Sequence, residues 1–168
     1  MSKPVTETRD PGASATRRAL DAVVRSILRS PLHRVISRKL LVVTVTGDKA
    51  GQAYEHPAGY VEHDGELFIS TAARWRHHLR PDEPVRVLLR GRAVLADWDV
   101  LTGEDETDAP YRLILWRNPA QGKRAGISLR ADGSVDRAEL RAALANGLAI
   151  VILRPHIPDE DPDFPADR

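Results

Sequence analysis

The stretch that decides the fold is TVTGDKAGQAYEHPAGYVEHDGELFISTAARWRHHL, residues 44–79. It opens as the end of a β-branched run, KLLVVTVT, and breaks at Gly47. β-Branched side chains are stiff about χ1 and pack well on a pleated surface, so this run predicts a strand. GYVEHDGELFIST predicts a hairpin, with Asp64-Gly65 at the turn, where positive φ is required. Downstream, PVRVLLRGRAVLADWDVL alternates. Val85, Val87 and Leu89 share one face and Arg86 and Arg90 the other, while Gly91 predicts a bulge or sharp bend. Strands joined by tight connections imply an antiparallel sheet rather than alternating βα units.

The 168 residues suit one domain, and a hydrophobic fraction of 42% can supply its core. A net charge of +1 argues against a dedicated nucleic-acid binder, and the absence of cysteine excludes disulfides and thiolate chemistry. Residues 1–15 read as a flexible arm, 16–155 as a single domain and 156–168 as an acidic, Pro-rich tail. Leu20, Val23, Val24, Ile27 and Leu28 repeat at helical spacing, and Ser30-Pro31 opens a second short helix. PYRLILWR predicts a short helix and NPAQGKRAG a polar loop. Asp136 and Glu139 have capping-box spacing, Gly147 ends the helix that follows, and LAIVIL is the last buried strand. The expected architecture is mainly β with flanking helices (α+β), a small barrel of six or seven strands. The polar N-terminus has no signal-peptide core, and no apolar run is long enough to span a bilayer. A soluble, cytoplasmic protein is expected.

Several chemistries lack support. There is no Gly-x-Ser-x-Gly, and AQGKRAG lacks phosphate-loop spacing. His77 and His78 are adjacent, so their side chains diverge, and no metal site is expected. Trp98 and Trp116 read as packing residues.

The order of these motifs resembles the split β-barrel flavin and deazaflavin oxidoreductases, a fold like that of pyridoxamine-phosphate oxidase. It most resembles the deazaflavin-dependent nitroreductase family. Gly47, Lys49 and Gly51 match that family's Gly-basic-Lys-Ser-Gly turn. Pro57 matches its hairpin proline, Trp75 and Leu79 its Trp-to-Leu segment, Pro84 and Val85 its next strand start, and GLAIVILRP its closing strand. The resemblance covers about residues 20–91 and the last strand; residues 101–146 fall outside it.

The resemblance implies a homodimer with a cofactor groove near the interface. The implied cofactor is a deazaflavin (coenzyme F-420), with hydride passing to a small electron-poor acceptor, a nitro compound or quinone. The implied cofactor-binding residues are Gly47, Lys49, Ala50, Gly51, Pro57, Ser70, Thr71, Arg74, Trp75 and Arg76. A glycine-rich turn lets backbone N–H groups approach a phosphate, and Lys49 adds a point charge. Tyr54, His77 and His78 are candidate proton donors. The chain departs from the pattern at Asp48, Ala50, Tyr54 and His78, where the family has a basic residue, Ser, a second basic residue and Asn. Two alternatives therefore stay open: an FMN-dependent oxidoreductase of the same fold, and a non-catalytic flavin-, haem- or tetrapyrrole-binding barrel.

Overall fold

In the β-branched run that opens the sheet, Leu41, Val43 and Val45 turn one way and Val42, Thr44 and Thr46 the other, the period-two alternation of a strand. The computed structural model describes residues 39–47 and 52–157. The expected N-terminal arm, the two helices expected over 16–36, residues Asp48, Lys49, Ala50 and Gly51, and tail residues 158–168 lie outside the described residues.

Seven strands are present among the described residues: β1 Leu40–Thr46, β2 Ala53–Gly59, β3 Val61–His63, β4 Glu66–Thr71, β5 Val85–Leu89, β6 Arg92–Leu101 and β7 Ala149–Pro155. They form one antiparallel sheet in the order β2-β1-β5-β6-β7-β4-β3. The two edge strands, β2 and β3, are joined through one residue, Tyr60. A flat sheet would hold its edges six inter-strand spacings apart, so this link is possible only if the sheet rolls up. The fold is a split β-barrel. Tyr60 is itself buried, and its N–H donates to the Lys39 carbonyl at 3.2 Å.

Two cores lie on opposite sides of this sheet. The inner one holds Leu41, Val43 and Val45 of β1, Leu67 and Ile69 of β4, Val87 and Leu89 of β5, and Val151 and Leu153 of β7. Burying each such side chain is worth roughly 1.5–3 kcal/mol relative to leaving it in water. The outer one forms where α1 (Glu104–Arg117), α2 (Pro119–Ala125) and α3 (Arg137–Ala145) meet Phe68 and Ile150. Tyr111, Ile114 and Leu140 fill it.

Of the two forms expected at Gly91, the structure has the sharp bend: Arg90 (φ 51°) and Gly91 (φ 83°) form a two-residue reversal between β5 and β6, like Asp64 (φ 51°) and Gly65 (φ 79°) between β3 and β4. The structure differs from the sequence reading at three places. The helix expected to begin at Pro110 begins at Glu104, with Pro110 inside it. Its start is fixed by the Glu106 carboxylate, which accepts the N–H groups of Thr102 (2.8 Å) and Gly103 (2.7 Å). These hydrogen bonds also hold Glu106 below the usual carboxylate range. The expected polar loop contains α2, which starts on Pro119 and stops at Gly126 in the left-handed conformation. Asp136 does cap α3, accepting from Ala138 and Glu139, but Glu139 turns away to accept the Ser128 N–H and hydroxyl.

Candidate functional site at the barrel mouth

Chain geometry brings three segments to one end of the barrel: the β1–β2 connection, the end of β4, and a 3-10 helix, Arg74–His78. Thr71 starts the turn into that helix, its Oγ1 accepting the Ala73 N–H at 3.0 Å. Trp75 then drops into the barrel core, only 4% exposed, with Leu79 beside it. His56 of β2 stacks on the Trp75 ring, centroids 6.3 Å apart and planes at 21°. Burial lowers the His56 pKa, and the nearby His78 lowers it further.

Beside this plug lies a pocket of about 400 Å³. That is within the range of small-ligand sites. Thr44 and Thr46 form one wall, Arg80, Arg86 and His78 supply basic groups, and Trp98 closes it. Register explains the grouping, because Thr44 is directly opposite Arg86. The Trp98 indole N–H donates to the Glu83 carbonyl at 2.9 Å, which fixes the ring. Among the described residues, Glu83 is the pocket's one carboxylate, 3.8 Å from Arg80 in an exposed pair of little strength. Two hydroxyl donors, two guanidiniums and an aromatic wall suit an anionic ligand carrying a ring.

The residues singled out from the sequence fall into three groups. Gly47, Tyr54, Trp75, His77, His78, Thr71, Arg74 and Arg76 are at this end of the barrel. Gly47 donates its N–H to the Gln52 carbonyl at 2.9 Å, closing the connection on its described side. The Tyr54 ring lies over it, 41% exposed, and the Tyr54 hydroxyl donates to Gln52 Oε1 at 3.3 Å. Arg74 and His77 are exposed, and the Arg76 guanidinium bends back to donate to the Ala73 carbonyl at 2.9 Å. Ser70 and Pro57 are elsewhere. The Ser70 hydroxyl donates to Tyr111 Oη at 3.4 Å on the helix side of the sheet, and Pro57 pairs with Val42 on the outer face of β2. Lys49, Ala50 and Gly51 are outside the described residues.

Thr44, Thr46, Arg80 and Arg86 were not foreseen as site residues. Their signal was present: two threonines alternating with Val43 and Val45 place both hydroxyls on the outer face. Among the described residues, no group of three or more His, Cys, Asp or Glu could hold a metal ion, and no helix is long and apolar enough to cross a membrane.

The chain matches no protein-family model and no curated protein. Similar solved structures include a domain-swapped dimer, 16% identical over 84% of this chain and 98% of that one (TM-score 0.48). A second is an F420-H2 dependent reductase, 17% identical over 69% of this chain and 94% of that one (TM-score 0.46). A third is a pyridoxamine 5'-phosphate oxidase-related, FMN-binding protein from Nostoc punctiforme, 14% identical over 89% and 83% (TM-score 0.44).

Proposed function

We propose that this chain is a cytoplasmic, homodimeric oxidoreductase that binds a deazaflavin (coenzyme F-420) at the barrel mouth and reduces a small electron-poor acceptor, a nitro compound or quinone. The observation that carries this reading is the basic, hydroxyl-lined pocket beside the β1–β2 connection. Arg86 and Arg80 would hold a phosphate by charged hydrogen bonds, and Thr44 and Thr46 would donate to its remaining oxygens. Lys49, four residues beyond Val45, adds a further cation on the connection. Trp98 offers a flat wall on which a ring or linker can pack. A reduced deazaflavin supplies, when bound, a hydride carrying two electrons; the protein's part is to orient the donor and exclude water. His78 lines the pocket, and in this reading it would deliver the accompanying proton to the acceptor.

The test is the absorbance change of reduced coenzyme F-420 on mixing with a quinone and with a nitroaromatic. Enzyme-dependent reoxidation, lowered at least tenfold in Arg86→Ala, is expected. Turnover with reduced FMN alone would transfer the reading to an FMN enzyme, and no turnover with either would refute the oxidoreductase assignment.

A further inference from the structure

Trp116, near the end of α1, is 72% exposed, although a tryptophan normally buries most of its surface. It stands between two grooves and lines both. One, of about 650 Å³, is walled by Phe68, Pro110, Leu113 and Leu129; the other, of about 480 Å³, by Leu115, Pro119 and Ile127. Both are lined mainly by apolar surface, and neither adjoins the barrel-mouth pocket through a shared residue.

The rim is basic. The Arg117 guanidinium lies 5.6 Å from the Trp116 ring centroid, Arg112 borders the first groove and Lys123 the second, and Arg124 is exposed nearby on α2. The carboxylates at the start of α1 are engaged elsewhere: Arg141 takes Glu104, and Arg137 takes Asp105 and Asp108. Glu139 is the one acidic residue lining the second groove among the described residues, its carboxylate accepting the Ser128 hydroxyl, and Asp64 lies 3.4 Å from His63. Among the described residues, no carboxylate is in ion-pair range of Arg112, Arg117, Lys123 or Arg124.

The ligand chemistry that matches is an extended, acidic segment with prolines and an apolar anchor. Proline-rich segments dock on exposed aromatic rings because their conformation is preset and little entropy is lost on binding. The chain carries such a segment. Residues 158–168, PDEDPDFPADR, hold Asp159, Glu160, Asp161, Asp163 and Asp167, three prolines and Phe164. Reach permits the contact. Phe68, a groove wall, pairs across the sheet with Ile152, and the chain is described as far as Ile157. Ile157 packs against the inner core, so the tail must pass the sheet's end to reach α1; the seven residues to Phe164 extend about 22 Å in polyproline geometry at ~3.1 Å each, and all eleven about 34 Å.

We propose that residues 158–168 dock in the same chain on the Trp116 face, with their carboxylates on Arg112, Arg117, Lys123 and Arg124 and Phe164 or a proline in a groove beside the indole.

The experiment is NMR of the indole N–H signals of the ¹⁵N-labelled full chain, with Trp116 assigned by Trp116→Phe. It compares the wild type with Phe164→Ser and with the combined Asp159→Asn, Glu160→Gln, Asp161→Asn, Asp163→Asn variant. The Trp116 signal is expected to shift in both variants, while those of Trp75 and Trp98 stay in place and certify the fold. Raising salt to about 0.5 M should move the wild-type signal towards the charge-neutralised one, because exposed ion pairs are screened. A Trp116 signal unmoved by either variant, or a shift that disappears on dilution, overturns the proposal.

Discussion

His56 stacks on Trp75, with ring planes 21° apart, and so ties β2 to the 3-10 helix that seals the barrel. The two residues are nineteen positions apart in the chain, and neither a strand nor a short helix would hold them together alone. Trp75 supplies the buried area, and His56 is the lid on its ring. Trp75→Ala should therefore lower stability by about 3–5 kcal/mol. A urea melt would check it. A loss near zero would mean that Trp75 does not plug the barrel.

The same pair predicts a pH dependence. Burial and His78 hold the His56 pKa below its ordinary 6.5 in the folded state. In the window between the folded and unfolded values, the unfolded chain binds a proton that the folded one does not, so stability rises with pH. The full contribution is present above about pH 6.5 and is lost as pH falls through the window. Melting temperatures from pH 7.5 down to 5 should fall, and His56→Gln should flatten this dependence. Parallel curves for variant and wild type would contradict it.

Much of this architecture was legible in the sequence because it is local. Asp64-Gly65 fixes one turn, KLLVVTVT and LAIVIL fix two strands, and Asp136 caps a helix whose end Gly147 marks with φ 90°. What was not legible depends on distant partners. Seven residues of polar sequence, PAQGKRA, become helical because Gly122 fits against Leu115 and the Ile127 carbonyl. The site was half legible for the same reason. Gly47 and Trp75 announce themselves by type, whereas Thr44 and Arg86 become one site only through strand register. Ser70 and Thr71 look alike in sequence, yet one bonds Tyr111 on the helix side and the other caps a turn. Trp116, read as a packing residue, is on the surface.

Gly122 permits a close approach that no other residue allows. A Cβ there would lie 2.4 Å from Leu115 Cδ2 and 2.5 Å from the Ile127 carbonyl oxygen. The leucine end can move, but the second contact is with backbone, which cannot give way as a flexible side chain does. Gly122→Ala should cost about 1–3 kcal/mol, measured by chemical denaturation. An unchanged midpoint would mean that α2 is free to shift.

Gly47 and Tyr54 should be energetically coupled. A Cβ at Gly47 would come within 2.5 Å of Tyr54 Cε2, the far part of a half-exposed ring. Gly47→Ala should displace that ring and destabilise the chain, and the loss should shrink when Tyr54→Ala is added. A double-mutant cycle on denaturation free energies measures this; additive effects would show that the ring does not lie on Gly47 in solution.

The most direct test of the account is a calorimetric titration of the full chain with oxidised coenzyme F-420, and separately with FMN, repeated on Arg86→Ala and Lys49→Ala. Saturable deazaflavin binding, weakened in each variant by the ~1.5–3 kcal/mol of a charged hydrogen bond, is the result predicted. Binding of neither compound, or binding that ignores both substitutions, would contradict a phosphate-bearing cofactor at the barrel mouth.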